Sequence, residues 1–283
     1  MIIWLASYPK SGNTWVRFFI LSLLFGNKTE INLNHLKSIE QFPSKSQFAG
    51  LELDIKNLRE VAKNWITVQK KINLSKKVRF YKTHNTLCRI DKNRFTDQQN
   101  TLGAIYIVRD PRNVITSVKN HFNHNSYEET KNFIFDEKRV VLLARPNFNR
   151  RDYSLPQIIG SWQTHYKTWK IMNKNFLLIK YENLINTPNS EFKKIANYLE
   201  RLFKTKFTNE QIERAINSSS FDKLQKMEEK KGFIESVENK QTGEKNKFFY
   251  LGPKNDWTKI LDKEIADEIS SRFEPEMKEL GYL

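Results

Sequence analysis

Three short segments carry side chains whose types and spacing suit chemistry on an anion. The first is Tyr8-Pro9-Lys10-Ser11-Gly12-Asn13-Thr14-Trp15, which follows an apolar run and opens a helical pattern. Backbone N–H groups at a helix start point outward and carry the positive end of the helix dipole, so they attract anions. Gly12 lets the backbone come close to a ligand. Ser11, Asn13 and Thr14 add donors, and Lys10 adds a mobile charge. The loop reads as a cradle for a phosphate or phosphosulfate. It is not a Walker A loop, because G-x-x-x-x-G-K-[ST] is absent and the lysine precedes the glycine.

The second segment is Tyr81-Lys82-Thr83-His84. Histidine is the natural base for taking a proton near neutral pH, and a lysine beside it can steady charge on transferring oxygens. Taken alone, such a histidine is more often structural. The third segment pairs Arg109 with Ser117 in Tyr106-Ile107-Val108-Arg109-Asp110-Pro111-Arg112-Asn113-Val114-Ile115-Thr116-Ser117. The guanidinium fork suits a phosphate. Ser117 lies about two helical turns further on and returns near the same face.

Each segment needs a strand to end where its chemistry begins. Ile2 to Ser7 is an apolar run stopped by Pro9 and Gly12, and it reads as a buried strand. Val78 to Lys82, Leu102 to Val108 and Phe176 to Tyr181 are three more strands. Helices are expected over Thr14 to Phe25, Asp54 to Lys70, Leu155 to Asn173, Ser190 to Leu199, Asn209 to Asn217 and Asp262 to Leu280. Asp110 caps a further helix with Pro111 at its first position. Strands alternating with helices imply an α/β fold of three layers, a central parallel sheet with helices on both faces. Ligands of such sheets sit at the carboxyl ends of the strands, where all three segments fall. Asn32 to Gly50 and Ser126 to Asp152 read as polar, basic, irregular loops, either binding lids or solvated insertions.

The chain has 283 residues, which suits a single domain over 1–283. A content of 39% hydrophobic and 28% charged residues excludes a disordered chain. The net charge of +16 calls for an anionic partner without choosing among nucleotide, nucleic acid, glycan and membrane. Cys88 is the sole cysteine, so no intrachain disulfide forms and no CxxC pair holds zinc. The longest apolar stretch, Phe18 to Phe25, is far short of the roughly 20 residues that span a bilayer. No signal peptide is evident, and a cytoplasmic location is expected. His121 and His124, three apart, lack a further metal ligand in the sequence. The segment Lys223 to Lys231 alternates with glutamates as a solvated face does, and Met172 and Phe176 read as core.

With these residues in place, the chain resembles the cytosolic-type sulfotransferase family, whose first motif is Y-P-K-S-G-T-T-W; Asn13 is the one departure from it. The resemblance implies a P-loop NTPase-like fold and 3'-phosphoadenosine-5'-phosphosulfate (PAPS) as sulfuryl donor, with no metal. It implies that Lys10 contacts the oxygen bridging phosphate and sulfate, that Ser11, Gly12, Asn13 and Thr14 hold the 5'-phosphate, and that Trp15 stacks on adenine. It makes His84 the catalytic base, with Lys82 assisting. Arg109 and Ser117 match the family's 3'-phosphate motif. Tyr181, of a Tyr-Glu pair, and Ser219-Ser220-Phe221 would flank the adenine. Gly160-Ser161-Trp162, His165 and Trp169 repeat a family helix that reads as packing.

The pattern breaks near the C-terminus. The family carries R-K-G-x-x-G-D-W there, and its Arg, Lys and Gly hold the 3'-phosphate. Here the stretch is Tyr250-Leu251-Gly252-Pro253-Lys254-Asn255-Asp256-Trp257. Lys245, Lys247 and Lys254 are the nearby cations that offer a replacement. The expected partner is a small-molecule or glycan acceptor bearing a hydroxyl or amine, with no nucleic acid and no membrane span; a homodimer is compatible with the sequence. Two other classes fit part of the pattern. One is a nucleotide kinase on the same fold, which lacks its Walker lysine here. The other is a non-catalytic basic module for an anionic polymer, which the charge favours but which lacks a base-stacking platform.

Overall fold

Strand β1 (Ile2–Ser7) has six buried residues in a row, so neither of its faces goes to water and it must lie between neighbours. It does so in the computed structural model, which describes residues 1–142, 155–172, 175–239 and 242–283. A central sheet takes the order β2-β1-β5-β8, with β2 at Arg79–Thr83, β5 at Thr101–Val108 and β8 at Phe176–Lys180. β1 runs parallel to both neighbours, with Ala6 opposite Thr83 on one side and Tyr106 on the other. Helices surround this sheet, as the alternating pattern predicts. Two short antiparallel pairs accompany it: β3 (Arg89–Ile90) with β4 (Asn93–Arg94), and β6 (Val140–Val141) with β7 (Gln157–Ile158).

The chain divides into two compact units. The first comprises Met1–Tyr8, Ile39–Ile107 and Asp136–Leu178, and holds most of the sheet, helix α2 (Leu58–Asn73) and helix α5 (Trp162–Lys170). Its core is aromatic. Trp4 sits with ring centroids 5.3 Å from Phe42 and 5.2 Å from Phe95, and Phe95 lies 5.3 Å from Trp65. The Trp4 indole N–H donates to Thr101 Oγ1 at 2.9 Å, which lets a polar ring atom sit in the middle of a sheet.

The second unit comprises Pro9–Ser38, Val108–Phe135 and Ile179–Leu283. Its helices are α1 (Asn13–Phe25), α3 (Pro111–Phe122), α4 (Tyr127–Phe135), α6 (Tyr181–Asn186), α7 (Pro188–Phe203), α8 (Asn209–Ser218), α9 (Phe221–Lys231), α10 (Trp257–Ile260), α11 (Lys263–Arg272) and α12 (Glu274–Glu279). α1 packs on α8, α7 on α6 and α8, and α3 on α4 and α11.

Several expectations change in the structure. Asn32 to Gly50 is partly solvated but carries structure of its own. A short 3-10 turn forms at Leu33–Ser38, and Phe42 and Phe48 are buried. The backbone of Glu40 and Phe42 bonds to both sides of Lys82, which extends the sheet edge. Within Ser126 to Asp152, Tyr127–Phe135 is helical and residues 143–152 lie outside the described part. The helix expected from Leu155 starts only at Trp162, because Gln157 and Ile158 pair with β6 and Ser161 caps the helix through Thr164 N–H; Asn173 lies outside the described residues. Asp262 to Leu280 breaks at Phe273, next to Pro275, which has no N–H to continue the helix. α3 ends at Phe122 with Asn123 left-handed at φ 56, so His124 lies past the helix that carries His121. α9 buries Leu224 and Glu228, so its lysine-rich segment is more than a solvated face. Met172 and Phe176 are half-buried rather than core.

Replacing Phe95 by alanine removes the ring on which Trp4, Phe42, Trp65 and Trp169 all bear. A loss of about 3–5 kcal/mol in unfolding free energy is expected, measurable by urea denaturation.

Candidate active site

The loop after β1 takes a backbone that few residues adopt. Lys10 is left-handed at φ 66, and Gly12 caps α1 at φ 103, a value natural only to glycine. The first intrahelical bonds run from Trp15 N–H and Val16 N–H to the Gly12 carbonyl, at 3.0 and 3.2 Å. The amide groups before them lie at the start of the helix, ahead of its first intrahelical bonds. Ser11 is fully buried, and its hydroxyl has no hydrogen-bond partner among the described residues. A buried hydroxyl of this kind is costly unless a ligand meets it.

The second unit gathers most of the residues picked out by sequence around this loop. Arg109 donates through Nη1 to the Lys10 carbonyl and to Ser117 Oγ, both at 3.2 Å. Its guanidinium lies 4.0 Å from the centre of the Tyr181 ring. Tyr181 meets Trp15 edge-on at 5.8 Å, and Trp15 meets Phe221 at 6.0 Å. The Trp15 indole donates to the Ser219 carbonyl at 2.5 Å. Gly252, at φ +52, lies against Phe221 so closely that a Cβ there would fall 2.1 Å from the ring. Burial pushes the Tyr181 phenol up, with Arg109 opposing the shift, so it stays a neutral donor. Ser220 precedes α9 without capping it through its side chain. Tyr250 is 47% exposed and Leu251 half-buried, so the two departures from the family pattern present no buried cation. Of the lysines that offer a replacement, Lys247 is engaged with Glu229 at 2.9 Å.

Other residues at this loop carry no motif. Arg17, one turn into α1 and 2% exposed, donates to Glu235 Oε1 at 2.6 Å, and Thr14 Oγ1 donates to Glu235 Oε2 at 3.2 Å. Lys10 Nζ stands 3.5 Å above the Phe248 ring. Phe248 and Phe249 are held in turn by their backbone N–H groups, which donate to the Glu228 carboxylate at 2.7 and 2.8 Å. Arg17 is legible as a helical neighbour of Thr14. Glu228, Glu235 and Phe248 are more than 200 residues from the loop, and nothing in their local sequence marks them.

In the first unit, β1 and β2 in register place His84 beside Ser7. His84 Nδ1 donates to the Ser7 carbonyl at 2.7 Å, with Ser7 Oγ at 3.3 Å. The backbone of His84 is held on both sides. Its N–H donates to Gln157 Oε1 at 2.9 Å, and its carbonyl accepts from His165 Nε2 at 3.1 Å. One turn along α5, the Trp169 indole donates to the next carbonyl, of Asn85, at 2.9 Å. The expected packing helix thus supplies hydrogen bonds to the histidine segment, and the spacing of four between His165 and Trp169 puts both donors on one face. Lys82, 8% exposed, lies two residues before His84 on β2.

Residues 2–281 match the sulfotransferase domain family, and this chain belongs to that family of sulfuryl-transferring enzymes. It is 23% identical to the flavonol 3-sulfotransferase of Flaveria bidentis, over 99% of this chain and 83% of that protein. It is 26% identical to the 3-beta-hydroxysteroid sulfotransferase of Cavia porcellus, over 98% of this chain and 83% of that protein. Its fold resembles mouse sulfotransferase SULT7A1 complexed with PAP (TM-score 0.59, 18% identity, 98% of this chain and 84% of that one). It also resembles retinol dehydratase in complex with androsterone and the inactive cofactor PAP (TM-score 0.62, 17% identity, 98% and 80%). No helix among the described residues is long and apolar enough to cross a membrane.

The buried His165 imidazole is pushed down from its ordinary 6.5 to about 3 by desolvation, so it is neutral in the folded protein. An unfolded chain takes up a proton there below about pH 6.5, and the folded one does not. The stability is full above pH 6.5 and is lost as pH falls toward 3. Urea midpoints at pH 7 and pH 5 should therefore differ less for His165→Gln than for the wild type.

Proposed function

We propose that this sulfotransferase draws its sulfuryl group from PAPS and passes it to a hydroxyl or amine of a small-molecule acceptor, with His84 as the base. The observation that carries the donor assignment is the partnerless buried hydroxyl of Ser11, in a left-handed loop that Arg109 ties to Ser117 and Tyr181. These groups fit a phosphorylated nucleotide. Lys10 and residues Ser11 to Thr14 would hold the 5'-phosphosulfate, Arg109 and Ser117 the 3'-phosphate with Gly252, and Trp15, Tyr181 and Ser219 to Phe221 the adenine. The two similar structures, both complexed with PAP, support the same donor.

When bound, PAPS supplies the sulfuryl group. The protein's own tasks are then three. His84, with hydrogen on Nδ1 because the Ser7 carbonyl can only accept, takes the acceptor proton at Nε2. Lys10 offers positive charge to the leaving phosphate oxygen, and Lys82 to the sulfuryl oxygens. The reaction needs no metal in this reading, and turnover should persist in the presence of a chelator. The flavonol and steroid sulfotransferase relatives favour a phenol or alcohol acceptor, and a glycan or a homodimer remains within the proposal. The family match from 2 to 281 favours one functional domain, and the cytosolic sulfotransferases among the relatives favour a cytoplasmic location.

Tyr250 and Leu251 stand where the family has an Arg and a Lys. Each missing charged hydrogen bond is worth about 1.5–3 kcal/mol, so donor affinity should be low for the family. Calorimetric titration with PAP tests the site: binding should weaken roughly tenfold or more in Lys10→Ala. Absence of PAP binding to the wild type would overturn the donor assignment. His84→Ala should keep PAP binding and lose about 10²–10⁴ in kcat; turnover near that of the wild type would remove His84 from the base role.

A further inference from the structure

We infer that His165 is a positioning residue for His84: the His84 carbonyl sets its Nε2–H tautomer, the Tyr106 hydroxyl meets its other nitrogen, and the ring so held fixes the backbone from which the base projects. This rests on the reading of His84 as the base.

The chain of hydrogen bonds has one direction. The His84 carbonyl can only accept, so His165 Nε2, at 3.1 Å, must carry the hydrogen. A neutral imidazole with its hydrogen on Nε2 has a bare Nδ1, which must accept. Its partner is the Tyr106 hydroxyl at 2.9 Å, which donates. Both rings are fully or almost fully buried, His165 at 0% and Tyr106 at 1% exposure. Burial holds the imidazole neutral and the phenol protonated, so neither end of the chain reverses near neutral pH. Tyr106 is on β5 opposite Ala6 of β1, the residue before Ser7. The relay therefore begins on β5, at the residue paired with Ala6, and ends on the carbonyl of Ser7, the next residue of β1.

This gives His165 a task that apolar packing would not. Gln157 holds the His84 N–H and His165 holds its carbonyl, so the peptide planes on both sides of the base are fixed by side chains rather than by strand pairing. β2 ends at Thr83, and the next backbone bond to another strand is made by Thr86 N–H to the Ile158 carbonyl among the described residues. Without the His165 donor, the buried carbonyl loses the hydrogen bond that holds this peptide plane, and the segment is freed to turn. The imidazole would turn with it and leave the Ser7 carbonyl.

Glutamine and asparagine separate this role from filling space. Glutamine can place an amide N–H near the His165 Nε2 position; asparagine reaches only the Nδ1 position. NMR of protein carrying 15N-labelled histidine reads the tautomer of His84 directly, with His84→Ala identifying its signals and no acceptor required. His165→Asn should shift the His84 nitrogen signals away from the Nδ1–H tautomer, and His165→Gln should restore them. Once an acceptor is known, kcat should fall by about 10²-fold in His165→Asn, the scale of a misplaced reacting group, with PAP affinity and KM unchanged. Tyr106→Phe, which loses only a hydroxyl, should give a smaller shift of the same signals and serves if His165→Asn does not fold.

Unchanged His84 signals in His165→Asn, or in Tyr106→Phe where that variant is used, overturn the inference and leave the proposed function standing. Equal damage in His165→Gln and His165→Asn, with PAP affinity lost in both, also overturns it in favour of a packing role. Turnover surviving in His84→Ala sinks the base assignment instead, whatever the NMR shows.

Discussion

The parallel register of β1 with β2 is the constraint from which the first unit's chemistry follows. Ala6 opposite Thr83 makes Ser7 and His84 the next residues on each strand, so the last carbonyl of one strand receives the imidazole that follows the other. A slip of one residue would turn every side chain to the opposite face and would break that bond. β1 tolerates no slip, because all six of its residues are buried and both of its edges are paired. The burial of the strand thus sets the orientation of a side chain outside it. The same strand runs on in sequence to Lys10 through only two residues, Tyr8 and Pro9.

In the second unit the comparable constraint is conformational. Left-handed backbone at Lys10 and Gly12 turns the chain sharply from strand to helix and leaves Ser11 enclosed. Lys10 and the buried Arg17 bring positive charge to this turn, which calls for compensation. The compensation comes from acidic and aromatic groups: Glu235 for Arg17 and Thr14, and the face of Phe248 for Lys10. Glu182 plays a similar part at the neighbouring strand end, accepting from Asp110 N–H and from the Tyr282 hydroxyl.

What the sequence made legible was the set of residues tied to short-range pattern. The buried run Ile2–Ser7, the glycine turn, the Asp110-Pro111 cap and the spacing from Arg109 to Ser117 are all local. The four strands of the central sheet are accordingly legible to within a residue or two, and the two-residue pairs β3–β4 and β6–β7 are not. Helices failed where a tertiary partner decided the boundary, as when Gln157 and Ile158 pair with β6 and delay α5 to Trp162. The supports of the site were not legible for the same reason. His165 was visible as part of a motif, but its bond to the His84 carbonyl spans 81 positions. Glu228 sat in a lysine-rich stretch that read as solvated, although its carboxylate is buried and holds two backbone amides.

That buried glutamate bears on the altered C-terminal motif. Glu228 grips the chain at Phe248 and Phe249, and Gln225 takes the Phe249 and Tyr250 carbonyls. Gly252 then fits under Phe221. The path of residues 248–252 is therefore dictated by main-chain contacts and one glycine, not by the side chains at 250 and 251. The side chains at 250 and 251 can therefore change in charge or size without redirecting the backbone, which Glu228, Gln225 and Gly252 hold. The ligand preference of the loop and the integrity of the fold are thereby free to change separately.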